Sequence, residues 1–329
     1  MSELHEFTGK ISEMANAFRQ SRILFAAHDH NVFAFLEEDR GADDVAQRIG
    51  CSVRGTTMLL DGLVALDLVT KHGGRYRNGP VATTCLVPGK PAYQGAILRH
   101  TQRSWDAWSR LSEAVRTGTG VKQGSHRPAT GELRDFILGM SNIAFLSAPD
   151  LLEHIDIAPF KHLLDVGGGP GTYTITFLKA NPRLRATIMD LPPVIEIARD
   201  QVAVAGLEER VAYRPGDCTA DDLGSGYDLI LVSNIVHILS ADQNARLVRK
   251  CHDALESGGT LIIKDFLTDP DRSGPAFSLI FALHMLLHTE AGGTYSIEEV
   301  RRWTDDAGFL PGELKSLTPK TRLWAAQKG

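Results

Sequence analysis

The sequence predicts an α/β protein in two parts. A mainly helical N-terminal part carries a winged-helix pattern, and a parallel sheet with helices on both faces follows and closes in an antiparallel hairpin. Three observations lead there. Before residue 100, short helical patterns alternate with a Gly-Gly hairpin tip. From His162 the rhythm becomes strand, turn, helix, strand, which builds parallel sheets. The last segment, from Gly312 to Ala326, reads as strand, Thr-Pro-Lys turn and strand. The length of 329 residues fits about two domains, and 43% hydrophobic with 23% charged residues is ordinary for a globular chain.

Residues 11 to 39 place apolar groups at helical spacing, with Phe18, Ile23, Leu24, Val32, Phe33 and Phe35 as anchors. Asp43 to Ile49 reads as a short helix stopped by Gly50. Ser52 then caps a second helix from Val53 to Leu66. His72-Gly73-Gly74-Arg75-Tyr76 is a hairpin tip, which completes the winged-helix pattern. The stretch from about 90 to 155 reads as helical, with Trp105, Trp108 and Leu111 on one face. Gly118 to Gly131, rich in Gly, Ser, Thr and Pro, reads as a loop. Strands follow at His162 to Val166, Arg185 to Asp190, Val211 to Tyr213, Tyr227 to Val232 and Thr260 to Asp265, with helices at Thr172 to Lys179 and Pro193 to Val204. A Ser240/Gln243 capping box opens a further helix that runs through Leu255 and stops at Gly258. The expected domains are 1–100, a linker at 101–155 and a sheet domain at 156–329.

Composition excludes several classes. The net charge of −5 argues against general nucleic-acid affinity, since phosphate binding needs a basic surface. No apolar run reaches the roughly 18 residues of a membrane span. Met1 to Lys10 is polar and mixed in charge, so no signal peptide is expected. Cys51, Cys85, Cys218 and Cys251 are scattered, without a C-x-x-C pair, as in reduced cytoplasmic proteins.

The segment Asp165-Val166-Gly167-Gly168-Gly169-Pro170-Gly171 ends one strand and opens a helix. Glycines permit that tight turn and let a ligand approach the backbone. The dinucleotide fingerprint needs a glycine where Thr172 stands, which weakens a nicotinamide reading. Asp165 at the strand end suits a cation and would repel a pyrophosphate. The cofactor this favours is S-adenosylmethionine (SAM), with a positively charged sulfur. Asp190 lies nineteen residues after Gly171, where an acid binds ribose hydroxyls. Gly216 and Asp217 fall at the third strand end, for the adenine edge. Leu191, Cys218 and Asn234 complete the expected cofactor set with Gly167, Gly169 and Gly171.

Leu164 to Gly171, Gly216-Asp217 and Ser233-Asn234-Ile235-Val236-His237-Ile238-Leu239 together resemble the caffeate-type (plant-type) small-molecule O-methyltransferases and their bacterial natural-product relatives. The resemblance spans nearly the whole chain. It implies a Rossmann-like class I methyltransferase sheet with the closing hairpin, preceded by a winged-helix dimerisation domain. It also implies a homodimer with intertwined N-terminal domains and metal-free methylation of phenolic or enolic hydroxyls. His237 would be the general base and Asp265 an acid beside it. A second acid would align near Thr294, with Glu290 as its substitute if the loop differs. The family's His-Asp-Trp is His237-Ile238-Leu239 here. A histidine, unperturbed near pKa ~6.5, is largely neutral at pH 7 and can accept a proton. Such a base is worth on the order of 10²–10⁴ in rate, less than the up to about 7–11 kcal/mol available from alignment.

Phe277, Phe281, His284 or Met285, and His288 recur on one helix, and Phe136 and Met140 on another. They are the expected walls of an apolar pocket for an aromatic acceptor. His284 and His288 have metal-ligand spacing, but no third ligand accompanies them, and no metal is expected. Three other functions compete. One is a DNA-binding winged helix, although residues 1–100 hold eleven basic and eleven acidic residues. A second is a nicotinamide oxidoreductase. A third is a same-fold enzyme that hydroxylates or decarboxylates in the presence of SAM.

Overall fold

The computed structural model describes residues 3–120 and 130–329. Its contacts divide the chain into two compact units, Met1–Gln102 and Arg103–Gly329.

In the first unit, helices Glu3–Asn16 and Phe18–Asp29 lead to a 3₁₀ turn, Val32–Phe35. The expected continuous helical run breaks at Asn31, whose left-handed backbone (φ 53°) turns the chain. Phe18, expected as a core anchor, is exposed. Ala42–Ile49 and Val53–Ala65 form the helix–turn–helix. Gly50 closes the first helix at φ 66°, and the Ser52 hydroxyl accepts from Gly55 N at 3.1 Å to start the second. Strands β1 (Val69–His72) and β2 (Arg75–Asn78) pair antiparallel around Gly73 and Gly74, both at positive φ. The core gathers Phe33, Leu36, Val45, Leu60, Leu63 and Tyr76. The Tyr76 hydroxyl donates to Asp61, which Lys71 also grips at 2.6 Å. These partners, Lys71 first, hold the Asp61 carboxyl below its ordinary range.

The second unit opens with short helices Trp105–Ser109 and Leu111–Thr117 and the long helix Thr130–His154. The glycine-rich loop expected at 118–131 lies outside the described residues over 121–129, and Thr130 and Gly131 already belong to the long helix. The sheet contains β3 (His162–Val166), β4 (Arg185–Asp190), β5 (Val211–Pro215), β6 (Tyr227–Ser233), β7 (Leu255–Asp265), β8 (Glu313–Ser316) and β9 (Arg322–Gln327), in the order β5-β4-β3-β6-β7-β9-β8. The first five are mutually parallel, and β9 joins β7, and β8 joins β9, antiparallel. The closing hairpin is therefore present. The chain leaves β3 toward β4 and β5, then returns to the other side of β3 as β6. That reversal opens a crevice at the strands' carboxyl ends.

Two apolar layers fix the sheet. Leu164, Ile230, Val232, Leu261 and Ile263 face one, and Leu163, Leu229, Leu231 and Ile262 face the other. Helix Ala241–Ala254 begins with the expected Ser240/Gln243 capping box. It ends at Ala254, one residue before the expected Leu255, and Gly258 (φ 80°) does not stop it but lies inside the first part of β7. A glycine at positive φ can end a helix or kink a strand, and here the chain pairs with β6 at Leu255 and, after a register shift, again from Thr260.

Candidate active site

The crevice floor is the turn after β3. Gly167, Gly169 and Gly171 all take positive φ (65°, 56° and 78°), a conformation that side chains strain. A Cβ at Gly167 would stand 2.2 Å from Ile235, whereas above Gly169 there is open space. The turn is braced by Asp190 at the tip of β4. One oxygen accepts from Gly169 N at 2.8 Å and the other from Leu191 N at 2.7 Å. Burial pushes its carboxyl above the ordinary range, against the pull of those two N–H groups. Gly216 N in turn donates to Asp190 O, setting Gly216 and Asp217 beside this carboxylate at the tip of β5. The Asp217 carboxylate accepts from Thr219 N and hydroxyl, so it holds its own loop. Leu191 is exposed there, and Cys218 is half-buried with its thiol pushed up to about 11, chiefly by burial.

Asp165 sits differently from the expectation of a group facing the ligand directly. It is 1% exposed, its oxygen accepts from the Thr174 hydroxyl at 2.7 Å, and it lies under Gly168, where a Cβ would be 2.9 Å from its Cγ. Burial raises it to about 6. The helix after the turn, Thr172–Ala180, is held to the long helix by Ser141–Thr172 and Ser147–Tyr173 hydroxyl pairs at 3.0 and 2.8 Å.

His237 lies just past β6 in a 3₁₀ turn, Val236–Ile238. Its Nδ1 is 2.7 Å from Asp265 Oδ1 at the tip of β7. The same oxygen accepts from Phe266 N at 2.7 Å. A carboxylate accepts only, so Nδ1 carries the hydrogen and Nε2 holds the lone pair. Phe266 stacks on the imidazole at 5.8 Å and Phe281 meets it edge-on at 5.1 Å. The backbone here is fastened twice: Gly293 N donates to His237 O, and the Tyr295 hydroxyl donates to Leu239 O at 2.5 Å. At Gly292 a Cβ would stand 2.4 Å from His237 O, so only glycine fits against that carbonyl.

Helix Ala276–His288 carries an aromatic ladder: Phe277, Phe281, His284 and His288 stack in sequence, the last two at 4.1 Å. The Trp108 indole donates to His284 Nδ1 at 3.3 Å. Met285, one turn on from Phe281, is buried. Phe136 is exposed and Met140 half-buried on the long helix. Glu290 is not brought to the imidazole: it is exposed and makes no hydrogen bond or ion pair among the described residues. Among the described residues no group of three or more His, Cys, Asp or Glu could hold a metal ion, and no helix is long and apolar enough to cross a membrane. Sequence reasoning missed Phe266 and Lys264. Lys264 is a lysine 1% exposed near the end of β7, and its only signal was a lone cation in an apolar strand.

The open space over Gly169, the paired oxygens of Asp190 and the half-buried Asn234 at the tip of β6 fit SAM. Asp190 provides acceptors for ribose hydroxyls, and the glycine turn provides bare backbone for the sulfonium portion. These features define a SAM-dependent methyltransferase. The O-methyltransferase domain profile matches residues 108–310 and the O-methyltransferase dimerisation domain profile matches 12–88, and the chain belongs to that family as a SAM-dependent O-methyltransferase. It is 34% identical over 310 residues to the 3-hydroxy-5-methyl-1-naphthoate 3-O-methyltransferase of Streptomyces sahachiroi, covering 91% of this chain and 88% of that one. To the acetylserotonin O-methyltransferase of Bos taurus it is 31% identical, covering 91% of each. The human N-acetylserotonin methyltransferase solved in complex with SAM superposes with a TM-score of 0.90 at 26% identity, over 100% of this chain and 99% of that one.

Proposed function

We propose that the protein methylates a hydroxyl of a small aromatic or polyketide-like acceptor, with His237 as general base. The 2.7 Å His237–Asp265 pair beside the glycine turn carries this reading. Bound SAM supplies a methyl group on a sulfonium, open to in-line attack. The acceptor hydroxyl would give its proton to His237 Nε2 while its oxygen takes the methyl that bound SAM would supply, S-adenosylhomocysteine leaving with the electrons of the C–S bond. Asp265 holds the ring so that Nε2 faces the crevice, and its charge steadies the imidazolium that forms. Phe266 and Phe281 keep water from the imidazole, which strengthens that electrostatic help. Alignment is the larger contribution, up to about 7–11 kcal/mol, and the base the smaller, about 10²–10⁴ in rate.

Asp190 takes the ribose hydroxyls, with Gly167, Gly169, Gly171, Gly216 and Asp217 shaping the cofactor's bed. The Phe281–His284–His288 ladder forms one acceptor wall, and the segment 101–155 contributes Phe136 and Met140 to the pocket. An aromatic acceptor suits stacked rings. The naphthoate methylated by the Streptomyces relative belongs to the same chemical class.

We also propose a homodimer. Leu4, Phe7, Ile11 and Met14 repeat at helical spacing on helix Glu3–Asn16, each at least 58% exposed. Such a stripe is what a second copy buries. Incubating enzyme with methyl-labelled SAM and a panel of phenolic and enolic metabolites, with mass spectrometry, tests the function. Label on oxygen of an aromatic product supports it, and label only on nitrogen or carbon would refute it.

A further inference from the structure

Lys264 is a buried cation that the proton-transfer chemistry does not use. It pairs with Ser233 in the β6–β7 register, so both side chains project from the same face at the crevice end of the sheet. Among the described residues its ammonium has one hydrogen-bond partner, Asn234 Oδ1 at 3.3 Å, and lies 5.3 Å from the Tyr173 ring centre. No carboxylate pairs with it among the described residues. The Ser233 hydroxyl beside it is buried without a partner. A charge taken out of water without a counter-ion is costly, and buried charges are as a rule paired. This corner of the protein is one anion short.

The strand order says which anion comes. On the proposed site assignment, ribose would meet Asp190 at β4 and adenine Asp217 at β5, and His237 just beyond β6 would have to reach the methyl group. The cofactor would then run from β5 across β3 toward β6, which would bring its amino-acid end to the tip of β6. Asn234 stands at that tip in a left-handed conformation (φ 57°), its backbone N donating to Lys264 O at 2.9 Å. With Oδ1 held by Lys264, the amide nitrogen must face away from the lysine. It donates to nothing else among the described residues.

We propose that Lys264 is a positioning residue for the amino-acid end of the cofactor. It fixes the Asn234 amide so that its N–H donors meet the α-carboxylate, and it sets a buried positive charge beneath that carboxylate. This rests on the glycine turn being the cofactor site.

The test compares two ligands by calorimetric titration: S-adenosylhomocysteine, and 5′-methylthioadenosine, which has the same nucleoside but no amino-acid group. Lys264→Met weakens S-adenosylhomocysteine by about tenfold or more, as loss of a charge-assisted contact does, and leaves 5′-methylthioadenosine unchanged. Removing an unpaired buried charge need not harm the apo fold, and thermal unfolding checks this. Should Lys264→Met fail to fold, Asn234→Asp carries the test: its carboxylate takes up Lys264 and repels the ligand's, with the same selective loss. Equal losses for both ligands, or none in either variant, would overturn the proposal. Wild-type protein that binds neither ligand would instead sink the site assignment itself.

Discussion

Replacing Asp265 with asparagine separates two things the carboxylate does for His237. Asp265 Oδ1 accepts from both His237 Nδ1 and Phe266 N, each at 2.7 Å. An asparagine has one acceptor and one donor end. The Phe266 N–H is fixed by the backbone, so it selects the orientation with the carbonyl oxygen at the Oδ1 position. The amide NH₂ then falls at the Oδ2 position, which is buried and has no hydrogen-bond partner among the described residues. Nδ1–H thus keeps an acceptor and Nε2 keeps its lone pair. What disappears is the negative charge opposite the imidazolium. A hydrogen bond to a charged group is worth about 1.5–3 kcal/mol, so kcat should fall roughly ten- to hundredfold. His237→Ala, which removes the proposed base altogether, should cost about 10²–10⁴. Single-turnover methyl transfer with saturating SAM, alongside S-adenosylhomocysteine titration, is the assay. Cofactor affinity should hold in both variants. If Asp265→Asn cost as much as His237→Ala, the tautomer would have been lost and the argument from Phe266 N would be wrong; undiminished activity would remove Asp265 from the mechanism.

Three further outcomes are expected. Asp190→Ala should weaken S-adenosylhomocysteine by about 1–3 kcal/mol, since ribose contacts vanish and Gly169 N and Leu191 N lose their acceptor; calorimetry showing wild-type affinity would contradict the placement. Asp165 is raised from 3.8 to about 6 chiefly by burial, so between those values the folded protein holds its proton more tightly than the unfolded chain. Ligand-free stability should therefore fall as pH rises through that window, by about 3 kcal/mol at most. Asp165→Asn, which keeps an acceptor for Thr174, should flatten that slope and raise the unfolding midpoint at neutral pH; denaturant titrations with an unchanged slope would refute the assignment. Ile11→Glu should convert the proposed dimer to monomer in light scattering, because a charge enters the apolar stripe of helix Glu3–Asn16; an unaltered mass would place the contact elsewhere.

The sheet was readable because its signals are local. β3 and β6 are short apolar runs, and the turn after β3 needs glycines that side chains cannot replace. The Ser240/Gln243 box was equally plain, since both partners lie within one turn. Gly258 misled because a positive-φ glycine looks the same from sequence whether it stops a helix or bends a strand. Asn31 was missed for a related reason: its left-handed turn interrupts an apolar spacing that otherwise suits a helix. At the site, Asp165 was legible as a residue but not in its orientation, which depends on Thr174 and on the space Gly168 leaves. Phe266 and Lys264 reach their partners across strands, over separations no periodicity reports. Glu290 came from counting along a loop, where spacing carries no direction.

The proton-accepting pair comes from the tips of two neighbouring strands, while the aromatic ladder stands on a separate helix, Ala276–His288. On the proposed function, acceptor preference can be rewritten on the outer rungs, His284 and His288, without touching the imidazole, whereas Phe281 meets His237 edge-on and cannot be changed independently of it. For an engineer seeking a new product, randomising His284 and His288 is the economical library, because a failed variant there reports on fit and not on broken chemistry.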